Sequence, residues 1–209
     1  MIRSIATVFW LGLSAGGLAA TPLVAGEAGD AVFTERGPWS VSDQGLSWSV
    51  HVEGPETPGF LQIEAGSVTL KEATDPADDK PVLQLTQKTD SRTRKIGPFP
   101  ISGGDPVLTF FLEQTTRDIA KLTGGSPYYI RNRIKEALFQ SGEITRNGDD
   151  DMMASFRPLQ DDPNAGRMNG FETLTLTFVL NDDPKAPIRE LQARTEGDQP
   201  GYVNRMVLQ

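Results

Sequence analysis

Apolar and polar residues alternate most regularly in two stretches of the chain. Over Leu46–Glu53, Leu46, Trp48, Val50 and Val52 share one parity, while Ser47, Ser49, His51 and Glu53 share the other. That is the pattern of a strand with one buried and one wetted face. Phe171–Leu180 repeats it, with Leu174, Leu176, Phe178 and Leu180 set against alternating threonines. Between them, Leu61, Ile63 and Ala65 keep one parity and Val68 and Leu70 the other, so the change across Gly66 predicts a bulge or tight turn. Val82–Lys88, Ile188–Thr195 and Tyr202–Leu208 read as further strands, and Ala31–Thr34 and Trp39–Val41 as short β pieces. Gly97–Pro100 and Ser102–Gly104 break the β pattern, and 141–170 reads as a polar, Asp-rich stretch with turn signals.

The period changes to helical in the middle of the chain. Val107, Leu108, Phe111, Leu112, Thr115, Ile119 and Leu122 recur at helical spacing, opened by Asp105 as N-cap and Pro106 at the first helical position. Gly124-Gly125 ends this helix, and Ser126-Pro127 opens a second, whose stripe is Ile130, Ile134, Ala137 and Leu138. The short connection makes the two a hairpin. The expected fold is therefore α+β: an antiparallel, curved or sandwich-like β-sheet with a two-helix hairpin inserted at about residues 106–140, its apolar stripe packed on the sheet.

The N-terminus departs from this scheme. Arg3, an apolar run from Ile5 to Leu13 and a small-residue tract through Ala20 have the order of a secretory signal peptide. We place the signal peptide at 1–26, with cleavage before Glu27 and positions after Ala19 or Ala20 as alternatives. The run is short for a membrane span and is broken by glycines and Pro22. Residues 27–209 then form a single exported β-rich domain, with no transmembrane segment after cleavage. A bacterial periplasmic (or secreted) location is the expectation.

Composition narrows the chemistry. The chain has no cysteine, which removes disulfides, thiolate catalysis, Cys-ligated metal and a lipoprotein anchor. A net charge of −8 disfavours nucleic acid, whose binding rests on neutralising phosphates. The single histidine, His51, has only Glu53 as a chemical neighbour in sequence, too little for a triad or a metal site. The acidic runs Asp75/Asp78/Asp79, Asp149–Asp151, Asp161-Asp162 and Asp182-Asp183 lack the spacing of a calcium loop and stand where Asp forms turns. Gly124-Gly125-Ser126 offers free N–H groups to an anion, but Ser126 is already explained as a cap. No catalytic, cofactor or metal set is assigned.

The most distinctive local feature is the second helix. Tyr128, Tyr129, Arg131, Arg133 and Lys135 give it a basic, aromatic face in an acidic protein, and Tyr and Arg are enriched at binding hot spots. These five residues are the candidate binding set. The expectation is a non-catalytic envelope protein that binds a hydrophobic, lipid-like small molecule or an envelope protein partner through this helix and the curved sheet. A cavity lined by Trp48, Val50, Leu174, Leu176 and Phe178 would serve the first. An envelope-polymer hydrolase using Asp/Glu acid–base chemistry is the alternative.

Overall fold

The alternating segments pair as two antiparallel meanders that meet along one seam. The computed structural model describes residues 26–147, 151–197 and 201–209. The first meander is β1 (Leu46–Glu53), β2 (Ile63–Thr74), β3 (Pro81–Lys88) and β4 (Thr93–Pro100). The second is β5 (Glu143–Asn147), β6 (Asp151–Phe156), β7 (Thr175–Asn181), β8 (Glu190–Arg194) and β9 (Val203–Leu208). Antiparallel pairing of β1 with β9, Trp48 opposite Leu208 through Glu53 opposite Val203, fuses them into one nine-stranded sheet of order β4-β3-β2-β1-β9-β8-β7-β6-β5. The sheet is curved and not closed, with β4 and β5 as its two edges. The parity change expected at Gly66 is a β-bulge: the register steps from Val50–Gly66 to Val52–Ile63, leaving one extra residue on β2.

Between the meanders lie α2 (Pro106–Thr123) and α3 (Pro127–Gln140). Both start as their sequences dictate. Asp105 Oδ1 accepts from the amides of Val107 (2.8 Å) and Leu108 (3.1 Å), Ser126 Oγ accepts from the Tyr129 amide, and Gly124 closes α2 at φ +69°. α2 lays Leu108, Phe111, Thr115 and Ile119 on the inner sheet face, where Trp48, Val50, Leu174, Leu176 and Phe178 are buried. Phe111 meets Phe178 edge-on at 5.9 Å, and Phe178 meets Phe156 in the same way. Each such fully buried side chain contributes roughly 1.5–3 kcal/mol. The five residues expected to line a cavity are thus packed beneath the hairpin.

Several segments differ from the sequence reading: Trp39–Val41 forms no strand, and Phe171–Thr173 is a 3-10 turn ahead of β7. Residues 31–33 are not a strand but the end of a helix, α1 (Glu27–Phe33), with Ala28, Gly29 and Val32 buried. A Cβ on Gly29 would stand 2.0 Å from the Leu138 carbonyl oxygen, so only glycine lets α1 approach the end of α3 this closely. β4 runs through the supposed break at Gly97–Pro100; as an edge strand it tolerates proline and exposed cations. β5 and β6 occupy part of the stretch read as turns, with Ala154 and Phe156 turned into the core.

Candidate functional site

The five candidate residues of α3 fall on different sides of the helix, and two of them are tied into the fold. Tyr129 and Arg133 face the loop after β6. There, the Tyr129 hydroxyl lies 2.9 Å from both carboxylate oxygens of Asp162, and Arg133 Nε donates to Asp162 Oδ2 at 2.9 Å. Asn164 completes the cluster, its backbone amide donating to Asp162 Oδ1 (2.8 Å) and its side chain to the Tyr129 oxygen (3.0 Å). The Asp162 side chain is wholly buried. Burial pushes its carboxyl up, but the Asn164 amide, the Tyr129 hydroxyl and the Arg133 guanidinium outweigh that and hold it below the usual carboxylate range. Tyr129 and Arg133 therefore fasten the 157–164 loop to α3.

Arg131 and Lys135 lie on the opposite side, toward α2 and α1. Arg131 makes a two-pronged pair with Glu113 of α2, Nε–Oε1 2.7 Å and Nη2–Oε2 2.9 Å. This bond from Arg131 draws the Glu113 carboxyl below its ordinary pKa. Lys135 is exposed and, among the described residues, has no ion-pair partner. Tyr128 is 71% exposed.

Beside Arg131 and Lys135 runs an apolar groove of about 250 Å³, floored by Leu112, Ile134 and Leu138. One wall is Phe33 of α1 stacked on Phe139 of α3, centroids 5.2 Å apart and planes within 9°. These rings are 40% and 54% exposed, although stacking has already covered one face of each. Phe33 was not a candidate in the sequence, because the segment carrying it reads as a strand. Phe139 was missed because it lies outside the helix's apolar stripe.

The remaining candidates are accounted for locally. His51 is exposed on the sheet face opposite the helices; Nε2 is 3.6 Å from Glu53, while Ser49 Oγ donates to the Val207 carbonyl rather than to the ring. Asp75, Asp78 and Asp183 each accept from a backbone amide two residues on, as turn-forming carboxylates do. Asp149 and Asp150 lie outside the described residues.

Among the described residues two carboxyls are pushed upward, and neither opens on a cleft. Asp105, raised by burial, caps α2 beside the buried Arg36. Asp118 is raised by burial to about 6. Its carboxyl lies between α2 and β9, taking hydrogen bonds from Gln114 Nε2 (2.8 Å) and the buried Tyr202 hydroxyl (3.1 Å). Next to it, Asn204 Nδ2 donates to Thr115 Oγ1 at 3.1 Å, so the seam between α2 and β9 is polar and fully partnered.

No helix among the described residues is long and apolar enough to cross a membrane. No family model matches the chain and no curated protein matches it, so the reading of its function rests on the groove and the charges around it.

Proposed function

We propose that this is an exported, non-enzymatic binding protein that docks an apolar segment of a partner polypeptide in the groove between α1, α2 and α3. The observation that carries the reading is the exposed Phe33–Phe139 stack walling that groove. Four large apolar side chains are exposed among the described residues, and two of them, Phe33 and Phe139, stack together on this groove, while Tyr128 stands at the other end of α3. Apolar exposure concentrated in this way marks interaction sites.

The dimensions favour a polypeptide over a lipid or other small molecule. At about 250 Å³ the groove is open and lies below the roughly 300–1,000 Å³ of pockets that enclose small ligands. It fits one or two side chains of a segment laid across it, as in helix-in-groove recognition. Lys135 at the rim, where Arg131 is already paired with Glu113, selects acidic residues flanking the apolar anchors. Export is the other part of the proposal and rests on the order of charge, apolar run and small residues before Glu27. The periplasm is the proposed location.

Photocrosslinking in cells tests the docking reading, with benzoylphenylalanine placed at Phe139 and, as control, at Thr86 on the opposite sheet face. The expected result is a polypeptide adduct of defined mass from position 139 alone, weakened by Lys135→Glu. An adduct of twice the monomer mass would identify a second copy and overturn the foreign partner. A lipid adduct, or none, would overturn docking itself. The same material, analysed by intact mass, is expected to begin at Glu27; a product retaining Met1 refutes cleavage.

A further inference from the structure

A second site stands on the other flank of α2, away from the groove, where β4 meets the helix. Arg94 lies opposite Gln87 in the β3–β4 register, and its Nε donates to Gln87 Oε1 at 2.6 Å. Its Nη2 reaches Gln114 Oε1 on α2 at 3.4 Å, and the guanidinium stands 6.0 Å from the centre of the Phe110 ring. Gln114 cannot present the other end of its amide, because Nε2 is taken by Asp118 Oδ1. Gln87 is buried, so the Arg94 head is held in place by neutral oxygens and an aromatic ring.

Nothing negative completes this arrangement. Among the described residues, no carboxylate lies within 4.0 Å of Arg92, Arg94 or Arg117. Arg92 stands two residues earlier, in the turn that leads into β4, and Arg117 stands three residues beyond Gln114 on α2. Both are exposed. Burial, then repulsion from Arg92, then from Arg117, lowers the Arg94 pKa. Arg117 also acts on Glu113, but that carboxylate is already gripped by Arg131. In a chain of net charge −8, this flank thus gathers three guanidinia with no carboxylate in ion-pair range among the described residues.

We infer that Arg92, Arg94 and Arg117 form a binding site for a phosphate monoester group. A guanidinium has five N–H donors. Arg94 uses two of them within the fold. The rest, with the two exposed neighbours, match an oxyanion bearing about two charges, and a planar fork suits phosphate better than chloride. The anchored Arg94 fixes where the group binds, and Arg92 and Arg117 close on it from the strand and helix sides. Binding removes the mutual repulsion of the three cations. The site is separate from the groove and does not depend on it.

The test uses the whole mature protein, wild type and the Arg92→Gln/Arg117→Gln double variant, which keeps Arg94 and its anchoring bonds. The arginine Nε–H resonances are followed while sodium phosphate is added against sodium chloride of matched ionic strength. The expected result is a saturating shift of the Arg94 resonance in phosphate only, with affinity falling roughly tenfold or more in the double variant through loss of two charge-assisted contacts. A second arm measures sedimentation with phosphatidylcholine vesicles with and without phosphatidic acid. Sedimentation on phosphatidic acid that the double variant loses would place the phosphate on a lipid headgroup. Saturation by free phosphate without sedimentation would place it on a soluble ligand, the result expected for so acidic a protein. Equal, non-saturating shifts in phosphate and chloride, or unchanged affinity in the double variant, would overturn the site.

Discussion

Replacing Asp118 by asparagine is expected to stabilise the protein at neutral pH and to leave it nearly unchanged in acid. The Asp118 carboxyl titrates at about 6 in the fold against 3.8 when unperturbed. At about 1.4 kcal/mol per pKa unit, the fold disfavours the ionised group by about 3 kcal/mol. Below 3.8 the group is protonated in both states and carries no penalty. Between 3.8 and about 6 the native state holds a proton that the unfolded chain has released, so stability falls as pH rises; above about 6 the full penalty is present.

Asparagine removes the charge while keeping most of the hydrogen bonding. Its carbonyl can take the Gln114 donor, and its amide faces the Tyr202 oxygen, which turns from donor to acceptor. Urea unfolding followed by the fluorescence of the buried Trp48 gives the stability of both proteins across this range. The quantity to read is variant minus wild type, because the pH dependence of every other group cancels in it. It should rise by about 2–3 kcal/mol between pH 4 and pH 7. A difference that stays flat with pH would show that the Asp118 carboxyl is not desolvated between α2 and β9.

Two further substitutions test the supports around the helices. Asp162→Ala leaves the Tyr129 hydroxyl, the Arg133 guanidinium and the Asn164 amide without their common acceptor, and should cost about 2–4 kcal/mol at pH 7 in the same urea assay. Because the Asp162 carboxyl is held low, its contribution is present above pH 3.8 and lost as pH falls through its folded value, the opposite sense to Asp118; a cost that persists undiminished in acid would argue against the ionised cluster. Gly29→Ala drives a methyl into the Leu138 carbonyl and should cost about 1–3 kcal/mol while exposing the inner side of α1, seen as faster amide exchange in Ala28–Val32. An unchanged exchange pattern would refute close packing of α1 on α3.

Much of the scaffold is legible in the sequence because its signals are local. Asp105-Pro106 and Ser126-Pro127 announce helix starts within a few residues, and β1 and β7 alternate long enough to establish a period. α1 has seven residues, too few to show one, and its Ala31-Val32-Phe33 end has strand-like composition. β4 carries Arg94, Lys95, Pro98 and Pro100, a sequence that only an open edge accommodates. At the candidate sites the difficulty is distance along the chain. Tyr129 and Arg133 read as free binding groups until Asp162, 33 and 29 residues away, is brought beneath them. For Arg94 the sequence shows the charge but not that its neighbours in space are amides and cations.

The three features that matter most are positioned by different parts of the fold. The groove depends on α1 seating against α3, through Gly29 and the Phe33–Phe139 stack. The arginine cluster depends chiefly on the β3–β4 register, since the Gln87 bond at 2.6 Å is the firm anchor and the 3.4 Å contact to Gln114 the weak one. The Asp118 seam depends on α2 lying across β9. Gly29→Ala should therefore disturb docking without moving the Arg94 resonance. Asp118→Asn changes what holds Gln114, yet leaves Gln87 and Arg94 paired. Gln114 is the one side chain shared by the seam and the cluster, so any coupling between core titration and phosphate binding has to pass through its amide. With only the weaker Arg94 bond at stake there, that coupling should be small, and the groove, the seam and the cluster can each fail on their own.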